Sequence, residues 1–119
     1  PHIRHLASIT ITYDTPPGKV QRALDLIKEI LNNHEGMHPK FPPRVYFNAF
    51  NDASLNIMMI YWYHPADYWE YMKFTERVNL RILEQFNAQG IDFAFPTQTD
   101  YLANDDKRQM TLKLLRGQQ

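Results

Sequence analysis

The sequence contains no cysteine. Disulfides, thiolate nucleophiles and cysteine-type zinc centres are therefore excluded, and the absence fits a reducing compartment. Charge of neither sign is in excess, because 13 Lys and Arg balance 13 Asp and Glu. Nucleic-acid binding needs clustered cations facing phosphates, and no basic stretch supplies them. Long hydrophobic runs are missing too. The longest, Ile57 to Tyr63, falls far short of the ~20 apolar residues with which a helix crosses a bilayer. There is no glycine-rich phosphate loop and no His-Glu-x-x-His pair. The chain opens at Pro1 without the pattern of a signal peptide, which leads to the expectation of a fragment of a longer protein.

What is present is one domain's worth of chain, 119 residues rich in aromatics. A chain of this size buries roughly two-thirds of its unfolded surface, enough for a single core. Ile3 to Tyr13 alternate, with Ile3, Ala7, Ile9, Ile11 and Tyr13 on the face expected to be buried. Asp14 or Thr15 is a candidate cap for a following helix, in which Pro17 is tolerated in the first turn. Val20, Ala23, Leu24, Ile27, Ile30 and Leu31 form its apolar stripe, and it ends near Asn33. A polar loop with Gly36 and three prolines leads to two strands, Val45 to Phe50 and Leu55 to Tyr63, joined by an Asn51-Asp52-Ala53 turn. The second is apolar on both phases, which predicts a central position. Pro65 and Asp67 open a second helix with Tyr68, Tyr71, Met72, Thr75, Asn79, Ile82, Leu83 and Phe86 along one stripe. Gly90 suits its C-terminal cap, and a last strand runs from Ile91 to Phe95. The order β-α-β-β-α-β predicts the α+β class: a ferredoxin-like antiparallel sheet with both helices on one face.

Catalytic chemistry finds little support. His34 and His38 are spaced for a metal but sit in a loop with only Glu35 as a third donor, and they read as solvated. His64, before Pro65, reads as part of the helix start rather than as a base, and no nucleophile–base pair emerges. Tyr46, Phe47, Phe50, Tyr61, Trp62 and Tyr63 crowd the sheet, as in RNA-stacking sheets of this topology, but no Lys/Arg-Gly-Phe/Tyr signature accompanies them. Neither an enzyme nor a cofactor site is expected. Asn79, polar on an apolar stripe, and Asn48 and Asn56 in the hairpin read as hydrogen-bonding groups.

The most informative stretch is Phe93-Ala94-Phe95-Pro96-Thr97-Gln98-Thr99-Asp100-Tyr101-Leu102. A strand broken by proline and continued in a new direction carries unpaired backbone groups that invite another chain. Together with Thr10-Ile11-Thr12-Tyr13-Asp14-Thr15-Pro16-Pro17, the hairpin Phe47 to Asn56, and Asp67-Tyr68-Trp69-Glu70-Tyr71 followed by Glu76-Arg77-Val78-Asn79-Leu80, it resembles the C-terminal cytosolic domain of MscS-like mechanosensitive channels. The resemblance spans Ile3 to Leu102. It implies a homoheptameric channel of an inner membrane, with this domain on the cytoplasmic side and upstream membrane segments absent from this sequence. It further implies a hollow cage with side portals passing ions and small solutes. The organisation it implies is a cage domain over 1–96, an assembly strand over 97–103 with Pro96 at the bend (Thr97, Gln98, Thr99, Asp100, Tyr101 and Leu102), and a polar tail over 104–119. That tail reads as a frayed end. Glu35, Lys40 and Arg44 are candidate portal residues. For the isolated chain, a strand of about six residues is small beside the ~800 Å² per partner of stable complexes, so a monomer or weak oligomer is expected. The competing reading is a free-standing ferredoxin-like module that binds a small ligand.

Overall fold

The structure is a computed structural model and describes residues 2–94. Its elements are β1 (Ile3–Thr12), α1 (Pro17–Leu31), β2 (Arg44–Phe50), β3 (Ser54–Tyr63) and α2 (Tyr68–Gln89). The strands form an antiparallel sheet in the order β1-β3-β2. β3 is central, as its two apolar phases require: Leu55, Ile57, Met59, Tyr61 and Tyr63 are buried against the helices, while Met58, Ile60 and Trp62 are half-buried on the other face. Asn51 closes the hairpin, its N–H donating to the Ser54 carbonyl at 2.8 Å. Asn56 Nδ2 donates to Asn48 Oδ1 at 2.7 Å, the cross-strand bond expected of these two side chains.

After α2 the chain runs antiparallel along the free edge of β1. Phe93 bridges Ile11, Thr12 N–H donates to the Asp92 carbonyl, and Ala94 N–H donates to the Thr10 carbonyl. This is where a ferredoxin-like fold places its last strand. Within the described residues the stretch amounts to one bridge, and the expected continuation over 97–102 lies outside them.

The helices start and stop where their sequence directs. Asp67 Oδ1 accepts the Glu70 N–H at 3.2 Å, with Glu70 itself in the positive first turn. Gly90, at φ 69°, closes α2 in the left-handed conformation that glycine adopts without a Cβ penalty. The cap expected for α1 differs. Pro16 occupies the N-cap with no side-chain bond, and Thr15 Oγ1 instead donates back to the Thr12 carbonyl. Proline supplies a fixed φ there, so the helix begins without a polar cap.

The core divides into two ends. Around Ile11, Val20, Phe86 and Ile91 it is hydrocarbon, and Phe86 stacks on Phe93 with ring centroids 5.1 Å apart. At the other end it is aromatic and polar. Tyr61 and Thr75 hydroxyls are 2.9 Å apart, the His5 ring stacks on Tyr61 at 4.6 Å, and His5 Nδ1 lies 2.6 Å from the Tyr71 hydroxyl. Burial pushes the Tyr61 phenol up to about 12, so it stays a neutral hydrogen-bonding group. Outside α2, Tyr13 and His34 depart from the burial expected of them: Tyr13 is 69% exposed, because β1 ends at Thr12 and the chain turns. His34, expected to be solvated, is 8% exposed beneath Tyr61 and Phe74.

Candidate interaction surfaces

An ordinary amphipathic helix hides one stripe. α2 carries two. Its buried stripe is Tyr71, Phe74, Thr75, Val78, Ile82 and Phe86. The stripe expected from sequence mixed these with Tyr68, Met72, Asn79 and Leu83, which are exposed. Those residues belong to a second, outward face. Trp69, Met72, Leu80 and Leu83 there are 71%, 40%, 57% and 46% exposed. With Lys73, Thr75, Glu76 and Asn79 they line a shallow groove of about 550 Å³. Water-exposed tryptophan and leucine along one helix face make it a candidate docking surface. Asn79, odd on the expected stripe, is a polar group within this groove.

A second apolar groove, of about 360 Å³, lies between the start of α1 and the hairpin tip. Tyr13, Leu24, Phe47 and Phe50 line it, and Phe50 is 79% exposed. Phe47 and Phe50 sit on the same face although three residues apart, because a register shift between Phe47 and Ala49 adds a residue to β2. Their rings then meet at 5.1 Å. Sequence alternation alone could not reveal this, since a bulge inverts the phase after it.

The three candidate portal residues fare differently. Glu35 is a clamp: its carboxylate accepts from the Tyr63 hydroxyl and the Arg77 guanidinium, both at 2.5 Å. It ties the α1–β2 loop to β3 and α2, and both members of its ion pair are about half exposed, which keeps its net contribution modest. Lys40 and Arg44 are exposed, on the same loop and at the start of β2. The structure brings neither of them to Glu35's partners.

Among the described residues no group of three or more His, Asp or Glu is placed to hold a metal ion, and no helix is long and apolar enough to cross a membrane.

A family description, "Mechanosensitive ion channel MscS, C-terminal", matches residues 5–93. The chain is 41% identical over 103 residues to the small-conductance mechanosensitive channel MscMJ of Methanocaldococcus jannaschii, covering 87% of this chain and 29% of that protein. It is 38% identical over 87 residues to the low conductance mechanosensitive channel YnaI of Escherichia coli, covering 72% and 25%. The chain thus spans less than a third of the length of these relatives. Among solved structures, the cryo-EM structure of Arabidopsis thaliana MSL1 superposes with a TM-score of 0.69 at 14% identity, over 80% of this chain and 34% of that one. The closed-state crystal structure of Helicobacter pylori MscS does so at 0.56 and 17%, over 87% and 39%. At such identities these two likenesses speak for the fold.

Proposed function

The chain belongs to the MscS family of mechanosensitive ion channels, matching its C-terminal domain, and from that premise we propose that it builds an oligomeric cytosolic cage through which solutes reach a tension-gated pore. The observation that carries the reading is the outward apolar face of α2. A domain that worked alone would have no reason to keep Trp69, Met72, Leu80 and Leu83 in water. In a ring of identical copies such a face is covered by a neighbour, and the segment 97–102, read from the sequence as an assembly strand, would supply a second contact between copies. A heptamer at the cytoplasmic side of the membrane is the arrangement proposed. Tension sensing then resides in membrane segments outside this sequence, and the domain contributes assembly and filtering. Its relatives are named as channels rather than enzymes, which supports a non-catalytic role.

In the full-length channel, Leu80→Glu with Leu83→Glu is expected to dissociate the oligomer, read by size-exclusion chromatography with light scattering in mild detergent. Both positions are about half exposed, so the same pair in the 119-residue chain is expected to shift stability by no more than about 0.5 kcal/mol per site. An intact oligomer with normal gating would refute this role for the groove. The small-ligand alternative gains nothing from the same groove, which is open along a helix face rather than enclosed.

Filtering is assigned to exposed charge on the α1–β2 loop. Lys40 is the cleaner test of the portal set, because Glu35 already holds Tyr63 and Arg77. Lys40→Glu replaces a positive charge by a negative one in every copy. The reversal potential of the full-length channel in a salt gradient is expected to move toward cation preference. An unchanged reversal potential would remove Lys40 from the portal.

A further inference from the structure

All five histidines of the chain gather at the aromatic end of the fold. The rings of His2, His38 and His64 lie 5.2–6.0 Å apart, and His2 packs on Phe41 at 4.7 Å. His38 and His34 belong to the α1–β2 loop, residues 32–43, which crosses this end like a strap. The strap is fastened where His64 N–H donates to the Gly36 carbonyl at 2.8 Å, and it is shaped by bonds of its own: Met37 N–H to the His34 carbonyl, Phe41 N–H to the His38 carbonyl, and Lys40 N–H to His38 Nδ1. His34 Nδ1 is 2.6 Å from the Glu35 carbonyl and so carries the proton. His34 Nε2 and His2 Nδ1 are buried with no hydrogen-bond partner among the described residues.

We propose that this strap is an acid-released latch, closed while its histidines are neutral and freed when they gain protons. The geometry supplies the reason. A proton on His34 Nε2 creates a charged donor in the core with nothing to accept from it. Metal binding is a poorer account of the cluster, since among the described residues no group of three or more His, Asp or Glu is placed to hold an ion.

The surrounding charges do not reverse this. Facing the strap are His5 from β1, Tyr61, Tyr63 and His64 from β3 and the turn after it, and Glu70, Tyr71 and Arg77 from α2; Glu35 and Lys40 are its own. Glu35 is the carboxylate beside His34, and it is shared between Tyr63 and Arg77. Burial holds the His34 imidazole below its ordinary 6.5 against the opposing pull of Glu35. Burial also lowers His5. A histidine depressed in the closed form contributes full stability above its ordinary value. It loses that contribution as pH falls below 6.5 towards the lowered value. The latch therefore opens on the acid side.

Backbone hydrogen exchange of the 119-residue chain tests this directly. After correction for intrinsic exchange, protection at Met37, Lys40, Phe41 and His64 is expected to fall several-fold, with about tenfold the ceiling for one histidine, between pH 7.5 and 5.5, while Ile57 to Tyr61 keep theirs. His34→Phe with His38→Asn, which keeps the ring contact and an acceptor for Lys40 N–H, is expected to hold the strap closed at pH 5.5. Should that pair not fold, His34→Asn, which still offers an N–H to the Glu35 carbonyl and cannot be protonated, is expected to shrink the pH effect. Unchanged strap protection at pH 5.5, loss in step with β3, or an equal loss in the variants would overturn the proposal.

Discussion

Gly36→Ala is expected to destabilise the domain by about 2–4 kcal/mol, among the largest effects of any single methyl group in this chain. Gly36 sits at φ 78°, a conformation an alanine enters only with strain. The added Cβ would lie 2.7 Å from Tyr63 Cδ2 and 2.9 Å from Cε2, closer than real carbon atoms approach. The ring cannot yield, because Tyr63 is 4% exposed, its hydroxyl is held by Glu35, and it packs on Phe74 at 5.5 Å. Relief must come from lifting the strap, which forfeits the Gly36–His64 bond and the Glu35 clamp. Urea denaturation would show a lower midpoint with a similar slope, and the melting temperature is expected to fall by roughly 10 °C or more. A loss below about 1 kcal/mol would mean that the strap moves freely of the core.

Phe86→Ala is expected to cost about 3–5 kcal/mol by loss of transferred area and by the cavity left behind. Phe86 is fully buried and stacked at 18° on Phe93. Its effect should exceed simple loss of core, because Phe93 is the residue that bridges β1. The Ala94 amide, which donates to Thr10 at 2.9 Å, is then expected to lose protection before the β1–β3 amides do. Equal loss at both places would show that Phe86 supports the core as a whole and not this edge in particular.

Most of the architecture was legible because periodicity is a local property. Alternation in Ile3 to Thr12, the two-phase run of β3, the Asn51-Asp52-Ala53 turn, Asp67 and Gly90 each announce an element through their own chemistry. Facing was harder. α2 presents apolar residues around much of its circumference, so spacing alone could not separate the stripe of Phe74 and Val78 from that of Trp69 and Leu80. The choice follows from where β3 delivers the chain, which is tertiary information. His34 was misjudged for a similar reason. A polar residue in a loop reads as solvated, and only packing reveals that Tyr61 and Phe74 close over it. The outward groove announced itself faintly, through Asn79 lodged among hydrophobic neighbours.

The two borders of the sheet are unlike, and that difference gives assembly a direction. β2, the outer strand on one side, is preceded by Pro42 and Pro43, begins with Arg44 and carries the register shift at Asn48. Proline withholds a donor, a buried-edge cation is costly, and an inserted residue twists the backbone out of line, so a foreign strand finds no straight rail there. On the β1 border, by contrast, 92–94 already pairs with Thr10 to Thr12 in the manner of a further strand. Each copy can therefore extend its sheet on one flank only. Such handed modules have no counterpart surface on which to stack end over end into an open ribbon, and a crowd of them is steered away from cross-strand fibres even when many are held close together.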